Sequence, residues 1–327
     1  MTIVSFMIER DRLVRRMVAL CTAGGVAAAL MAGCAASDTS DGPSSAAAPI
    51  AVVATTPQVA DFVRNIGGAD VSVHQIIKPG VDPHEYEPTP ADMQAIGAAK
   101  LVVKSGVGIE KWLDPTIQSA GYQGTVVDAS QGVVLRKGDP GDEEMAGGDP
   151  HIWHNPLNAK IMVQDIEKGL SRADPSRSGV FEKNLADYSA KLDKLDADNL
   201  AAFARLPEGQ RKLVTNHDAF GYYIDRYKLQ FIGSVIPSTD TSAELSAKQL
   251  TDLVTKIKAT GTRAIFTESS LPPKTAEAIA KQAGVKVVGG ADALYGDSLG
   301  PDGSPGATYL GAEEHNTQTI VAALSGN

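Results

Sequence analysis

The chain has 327 residues, 43% of them apolar and 21% charged, with a formal net charge of −9 and two cysteines. That length has room for two lobes of ordinary domain size, and the apolar and charged shares are those of a soluble globular protein. A net negative chain without a basic face argues against a nucleic-acid partner and suits a cationic one.

Residues 1–33 read as a targeting segment, not as fold. Arg10, Arg12, Arg15 and Arg16 make a basic start, and Met17 to Met31 is an apolar, small-residue run too short for a comfortable membrane span. The run ends in Leu30-Met31-Ala32-Gly33-Cys34, which resembles a bacterial lipobox with Cys34 as the lipidated residue. Met31 departs from the usual Leu, and a plain signal peptide cleaved near Ala36 is the alternative. Cys21 lies inside the leader, so the mature chain would have no thiol, and any metal site must use imidazole and carboxylate. Residues 34–49, rich in Ser, Ala, Asp and Gly, read as a flexible tether.

The body opens with Ile50 to Ala54 as a strand and a helix from Pro57 that stops at Gly67-Gly68. Val71 to Ile77 is a second strand. Thr89-Pro90 caps and starts the next helix. Leu101 to Val103 and Thr125 to Val127 are strands, and Ile109 to Ser119 between them reads as a helix broken or kinked at Pro115. Residues 137–149 form an acidic, histidine-free surface loop. Asn155 and Pro156 cap a helix that Asp174-Pro175 ends. Phe181, Leu185, Tyr188, Leu192, Leu195, Asn199 and Ala202 then recur at helical spacing, free of Gly and Pro until Pro207, over about 40 Å. Strands at Lys212 to Thr215, Phe231 to Ile236, Ala264 to Thr267 and Val285 to Val288 alternate with helices at Ala219 to Tyr227, Leu245 to Ala259, Thr275 to Ala283 and Leu310 to Leu324. This alternation predicts an α/β fold: two lobes, each a mostly parallel sheet flanked by helices, joined by one long spine helix. The expected boundaries are 50–178, 179–206 and 207–327.

Ligands of open α/β sheets sit at the C-terminal ends of strands. His84 follows the second strand, His151 lies in Asp149-Pro150-His151-Ile152-Trp153-His154-Asn155-Pro156, His217 directly follows a strand, and Asp297 lies in the loop after Val288. Each alone has a bland reading as a surface or turn residue; three of six histidines at such loops are harder to dismiss.

Six segments resemble the solute-binding proteins of metal-importing ABC transporters, the zinc and manganese group: Gly80 to His84, Asp149 to Trp153, Asn184 to Leu195, Val214 to Phe220, Phe266 to Ser269 and Leu294 to Leu299. They run in order across nearly all of the mature chain. The resemblance implies two lobes with the metal between them, His84, His151, His217 and Asp297 as ligands, an ABC permease as membrane partner, and an extracytoplasmic monomer anchored by lipid or free in a periplasm. Three imidazoles and one carboxylate favour Zn²⁺ at roughly 2.0–2.2 Å. Manganese carriers of this kind tend to have Glu where His217 stands, so Mn²⁺ is the second choice. Glu268 is a candidate acceptor for a ligand His N–H, or else a solvated strand-end charge. His154 is the unexplained neighbour of His151.

A surface adhesin of the same fold is a further reading. Gly296-Asp297-Ser298-Leu299-Gly300 also satisfies a serine-hydrolase string, so a zinc or serine hydrolase must be weighed. The 29 residues after Ser298 leave little room for triad partners, and the expectation is a carrier without catalysis. Neutral imidazole is needed for ligation, so metal binding should weaken as pH falls through the histidine range.

Overall fold

The computed structural model describes residues 48–138, 145–243 and 246–326. The leader, Cys34 and nearly all of the tether lie outside the described residues, as do the acidic residues Asp139, Asp142, Glu143 and Glu144 of the loop before His151.

The first half builds one four-stranded parallel sheet from β1 (Ile50–Ala54), β2 (Val71–Gln75), β3 (Leu101–Lys104) and β4 (Thr125–Asp128), in the order β2-β1-β3-β4. The helices α1 (Pro57–Gly67), α2 (Pro90–Ala98), α3 (Leu113–Ser119) and α4 (Pro156–Ala173) accompany it. Their starts follow local chemistry. Thr89 and Asp92 form a reciprocal capping box with Pro90 in the first turn, and Asn155 accepts from Leu157 N ahead of Pro156. Val52, Ala54, Leu101, Val103 and Val127 pack against Val59, Phe62, Val63 and Ile66 of α1 and Met162, Val163 and Ile166 of α4.

Residues 109–112 do not join α3, and Pro115 kinks nothing because it sits in the first turn, where no intrahelical N–H partner is required. The buried Glu110 carboxylate accepts from Ser105 N (2.6 Å), Gly106 N (3.1 Å) and Thr55 Oγ1 (2.6 Å), tying residues 105–110 into a tight loop at the C-terminal edge of β3. Burial pushes the Glu110 carboxyl above its usual range.

The long helix α5 (Ser178–Ala204) has 27 residues, about 40 Å at 1.5 Å per residue. Its Phe181, Tyr188, Leu192 and Leu195 belong to the first-half core, while Phe203 packs with Leu213, Phe220, Tyr223 and Tyr227 of the second. One helix thus contributes to both cores.

The second half contains β5 (Lys212–His217), α6 (Gly221–Tyr227), β6 (Gln230–Ile236), α7 (Ala247–Thr260), β7 (Ala264–Phe266), α8 (Lys274–Ala283), β8 (Lys286–Val288) and α9 (Tyr309–Ser325). All its pairings are parallel, but they form two ladders, β5-β6 and β7-β8, among the described residues. At the end of β5 the His217 N–H donates to the Glu268 side chain (3.0 Å). No helix among the described residues is long and apolar enough to cross a membrane.

Candidate metal centre

His84 sits in the loop between β2 and α2. Its N–H donates to Asp82 Oδ1 (2.9 Å), and Asp82 Oδ2 accepts from Thr241 Oγ1 (2.6 Å) of the second half. Gly80 N, at the start of that loop, donates to Ser298 Oγ (2.8 Å) and Leu299 O (3.2 Å), so the His84 loop is bonded to the Asp297 loop.

His151 and His217 are held by the same device on different elements. Asp149 Oδ1 accepts both the His151 N–H (3.0 Å) and ring Nδ1 (2.8 Å). Glu268 Oε1 accepts both the His217 N–H (3.0 Å) and ring Nδ1 (2.9 Å). A carboxylate on Nδ1 fixes the tautomer with its proton there and leaves Nε2 as a bare lone pair. Space beside Glu268 is limited: a Cβ on Gly296 would stand 2.1 Å from Glu268 Oε2, so glycine is required next to Asp297.

The three rings converge, with centroids 5.4 Å (His84–His151), 5.9 Å (His84–His217) and 5.2 Å (His151–His217) apart. Asp297 reaches all of them. Its oxygens lie 3.4 Å from His84 Nε2, 3.2 Å from His151 Nε2 and 3.1 Å from His217 Nε2, and the last two nitrogens are 3.4 Å apart. A tetrahedral shell with bonds of roughly 2.0–2.2 Å sets its donors roughly 3.3–3.6 Å apart, close to these spacings. One donor atom from each of the four residues lies within 4.8 Å of all the others.

The donors are also what a cation requires electrically. Asp297, His151 and His217 are fully buried, and His84's side chain is 3% exposed. Both Asp297 oxygens and His84 Nε2 lack a well-directed hydrogen bond, an expensive condition for buried polar atoms. Burial alone would depress the imidazoles, but Asp297 and Asp149 outweigh it and raise His151 to about 9. Against the same burial, Asp297 and Glu268 hold His217 well above the usual histidine range. Burial would raise the Asp297 carboxyl, yet His217 and His151 keep it well below the usual range. The cluster thus attracts positive charge, as protons or as metal.

The structure separates His154 from this group. Its ring is fully buried, stacks on Phe220 (4.4 Å, 25°) and places Nδ1 2.8 Å from Glu313 Oε1. His74 lies in β2 with Nε2 3.7 Å from Asp92 Oδ1, and His315 meets the Ala293 carbonyl at 3.1 Å. Ser298 is buried with its Oγ engaged by Gly80 N. Sequence reasoning overlooked Asp149 as the holder of His151, although an Asp two residues before a proline-fixed His carries the local signal of a side chain that turns back onto the backbone. It also overlooked Trp153, whose Nε1 donates to Gly296 O (3.2 Å) beside Asp297, and Glu313, which lies 159 positions from His154 and gives no local signal.

Comparison with known proteins places the chain in a family. The chain is 35% identical over 277 residues to the manganese-binding lipoprotein MntA of Bacillus subtilis (strain 168), covering 84% of this chain and 89% of that protein. It is 34% identical over 276 residues to the zinc-binding protein TroA of Treponema pallidum (strain Nichols), covering 84% and 88%. The solved structure of the periplasmic zinc-binding protein TroA from Treponema pallidum superposes with a TM-score of 0.77 at 33% identity, covering 85% of this chain and 99% of that one. Residues 52–323 match the family model described as ZnuA, zinc-uptake complex component A, periplasmic. The chain belongs to that family, whose members are extracytoplasmic metal-binding proteins serving ABC importers.

Proposed function

We propose that the protein captures one Zn²⁺ with His84, His151, His217 and Asp297 and hands it to the permease of an ABC importer. The observation that carries this reading is the donor set: three imidazole Nε2 atoms and one carboxylate, buried and mutually spaced like the corners of a tetrahedron. Asp149 and Glu268 orient two of the rings. Four protein donors leave no coordination position for a substrate water, which marks a holding site, not a catalytic one. Ser298 supports the same view: it is buried, and no histidine lies within hydrogen-bond reach of its Oγ among the contacts of the described residues.

In this reading residues 50–178 and 207–327 are the two lobes and 179–206 the helix between them; the division of α5 between two cores favours those limits. After removal of residues 1–33, Cys34 carries the lipid and residues 34–49 act as tether, holding a monomer at the outer face of the cell membrane. Cys34→Ser should release the protein from the membrane fraction; retention would count against the anchor.

A manganese carrier is the second reading, favoured by relatives named for manganese, MntA among them. The third imidazole at His217 speaks for zinc, since manganese prefers oxygen donors. Because nearly any nitrogen and oxygen site holds Zn²⁺ more tightly than Mn²⁺, the cargo is decided by transport: cells lacking the protein should lose uptake of radioactive Zn²⁺ and keep uptake of Mn²⁺. Loss of Mn²⁺ uptake with Zn²⁺ uptake intact would transfer the assignment.

A further inference from the structure

His154 and Glu313 form a second buried imidazole–carboxylate pair, outside the four-residue cluster. The unbonded His154 Nε2 and Glu313 Oε2 are both buried. Two apolar side chains of equal volume would fill such a site without desolvating charge, so the pair is weak evidence for stability and the question is what geometry it fixes.

Glu313 belongs to a stripe on α9. Tyr309, Glu313, Asn316 and Thr317 are spaced i, i+4, i+7 and i+8, so they share one helix face, and all four are buried. Tyr309 OH donates to Trp153 O (2.6 Å), and Glu313 holds the His154 ring. Asn316 accepts from Tyr295 N and donates to Tyr295 O, both at 2.8 Å. Thr317 shares a hydrogen bond with Tyr223 OH of α6.

Each of these partners lies on a segment that carries a candidate ligand or leads out of one. Trp153 and His154 follow His151, and His154 N also donates to His151 O (3.3 Å). Tyr295 stands two residues before Asp297, and α6 follows His217 after a short turn. His154 adds a direct link through its stacking on Phe220, three residues beyond His217. Trp153 adds another through its bond to Gly296 O. One helix face, touching no ligand itself, therefore grips the three separate segments that carry His151, Asp297 and His217, through backbone at Trp153 and Tyr295 and through side chains at His154 and Tyr223.

We propose that the polar stripe of α9 is a positioning array for the metal centre, with the Glu313–His154 pair as its central bond. It sets the spacing of His151, His217 and Asp297 and thereby the coordination geometry the site can offer. This rests on the reading of those residues as metal ligands.

Co²⁺ is the probe, because its visible spectrum reports coordination geometry separately from stability. The mature protein is titrated with Co²⁺ as wild type, Glu313→Gln, Glu313→Ala, His154→Leu and Tyr309→Phe, and thermal unfolding is recorded for each. Glu313→Gln should keep the wild-type bands, since its amide oxygen still accepts from Nδ1. Glu313→Ala and His154→Leu should lose about tenfold in Co²⁺ affinity, the low end of what partners of metal ligands are worth, with bands weakened toward higher coordination. Tyr309→Phe deletes one hydroxyl and leaves the packing, so it decides the matter even if the other variants fail to fold. Its bands should move in the same direction. Wild-type bands and affinity in every folded variant, with only the unfolding temperature lowered, would make the stripe mere cement and overturn the proposal while leaving the metal site standing. A wild-type protein that takes up no Co²⁺ would bring down both.

Discussion

His151 and His154 are separated by three positions, both fully buried, and each has Nδ1 2.8 Å from a carboxylate oxygen. By burial and hydrogen bonding they are near twins. They differ in what lies beyond the far side of the ring: Asp297 and His217 stand within 3.4 Å of His151 Nε2, while His154 stacks on Phe220 and its Nε2 is left without a partner. A buried imidazole on a carboxylate is therefore not enough to make a candidate ligand. The second nitrogen must meet other donors, and here those come from the loop after β8 and the end of β5.

The sharpest way to break this contrast is to delete one ring of each kind. His151→Ala or His217→Ala should abolish stoichiometric Zn²⁺ binding, with a loss larger than the roughly 10–100-fold that an orienting partner is worth. His154→Leu should retain one-to-one binding. Calorimetry on the three variants checks both halves; binding that survives in His217→Ala would remove that residue from the set.

The orienting carboxylates come next. Asp149→Asn and Glu268→Gln leave the donors in place but remove the negative charge that makes each ring a stronger ligand, for an expected loss of about 10–100-fold in Zn²⁺ affinity. Because the two carboxylates use the same bidentate grip on backbone N–H and Nδ1, the two losses should be similar. A large difference would show that the halves of the site are not equivalent.

The pH dependence follows with its sign fixed by the carboxylates. Without metal, His151 is raised from 6.5 to about 9, so its protonation stabilises the folded protein fully below about pH 6.5, and that stabilisation fades as pH rises through 9. The metal-free unfolding temperature should fall across that window, by the equivalent of about 3 kcal/mol at most. Zn²⁺ must displace the same proton, so affinity should rise with pH by about tenfold per unit for each proton released, up to about pH 9. Sequence alone placed this window in the ordinary histidine range; Asp297 and Asp149 move it upward. Equal affinity at pH 5 and pH 7.5 would contradict a site built on imidazole.

The smallest effect is expected at Ser298. Ser298→Ala removes one acceptor for Gly80 N, which keeps its bond to Leu299 O, so stability should change by about 1 kcal/mol and Zn²⁺ affinity by only a fewfold. Thermal unfolding and the same titration check it.

Local chemistry made much of this molecule legible in its sequence. The caps at Thr89 and Asn155, the Gly67-Gly68 stop and the helical periodicity of α5 depend on residues a few positions apart, and the structure follows them. Departures occur where contacts outside the helical spacing hold the chain. The Glu110 carboxylate engages Ser105 N, Gly106 N and Thr55 Oγ1, and the stretch before α3 is not helical. The second-half strands form two ladders where their alternation suggests one sheet. His84, His151, His217 and Asp297 could be picked out because each ends a strand or precedes a helix. Asp149 was readable in principle from its spacing to His151. Glu313 was not, since nothing near position 313 points to an imidazole 159 residues away.

The most direct test is a crystal of the mature protein loaded with zinc, measured on both sides of the zinc absorption edge. One anomalous peak should appear within roughly 2.0–2.2 Å of His84, His151, His217 and Asp297, with none beside His154. A peak at the His154–Glu313 pair, or a zinc held by fewer than all four residues, would contradict the assignment.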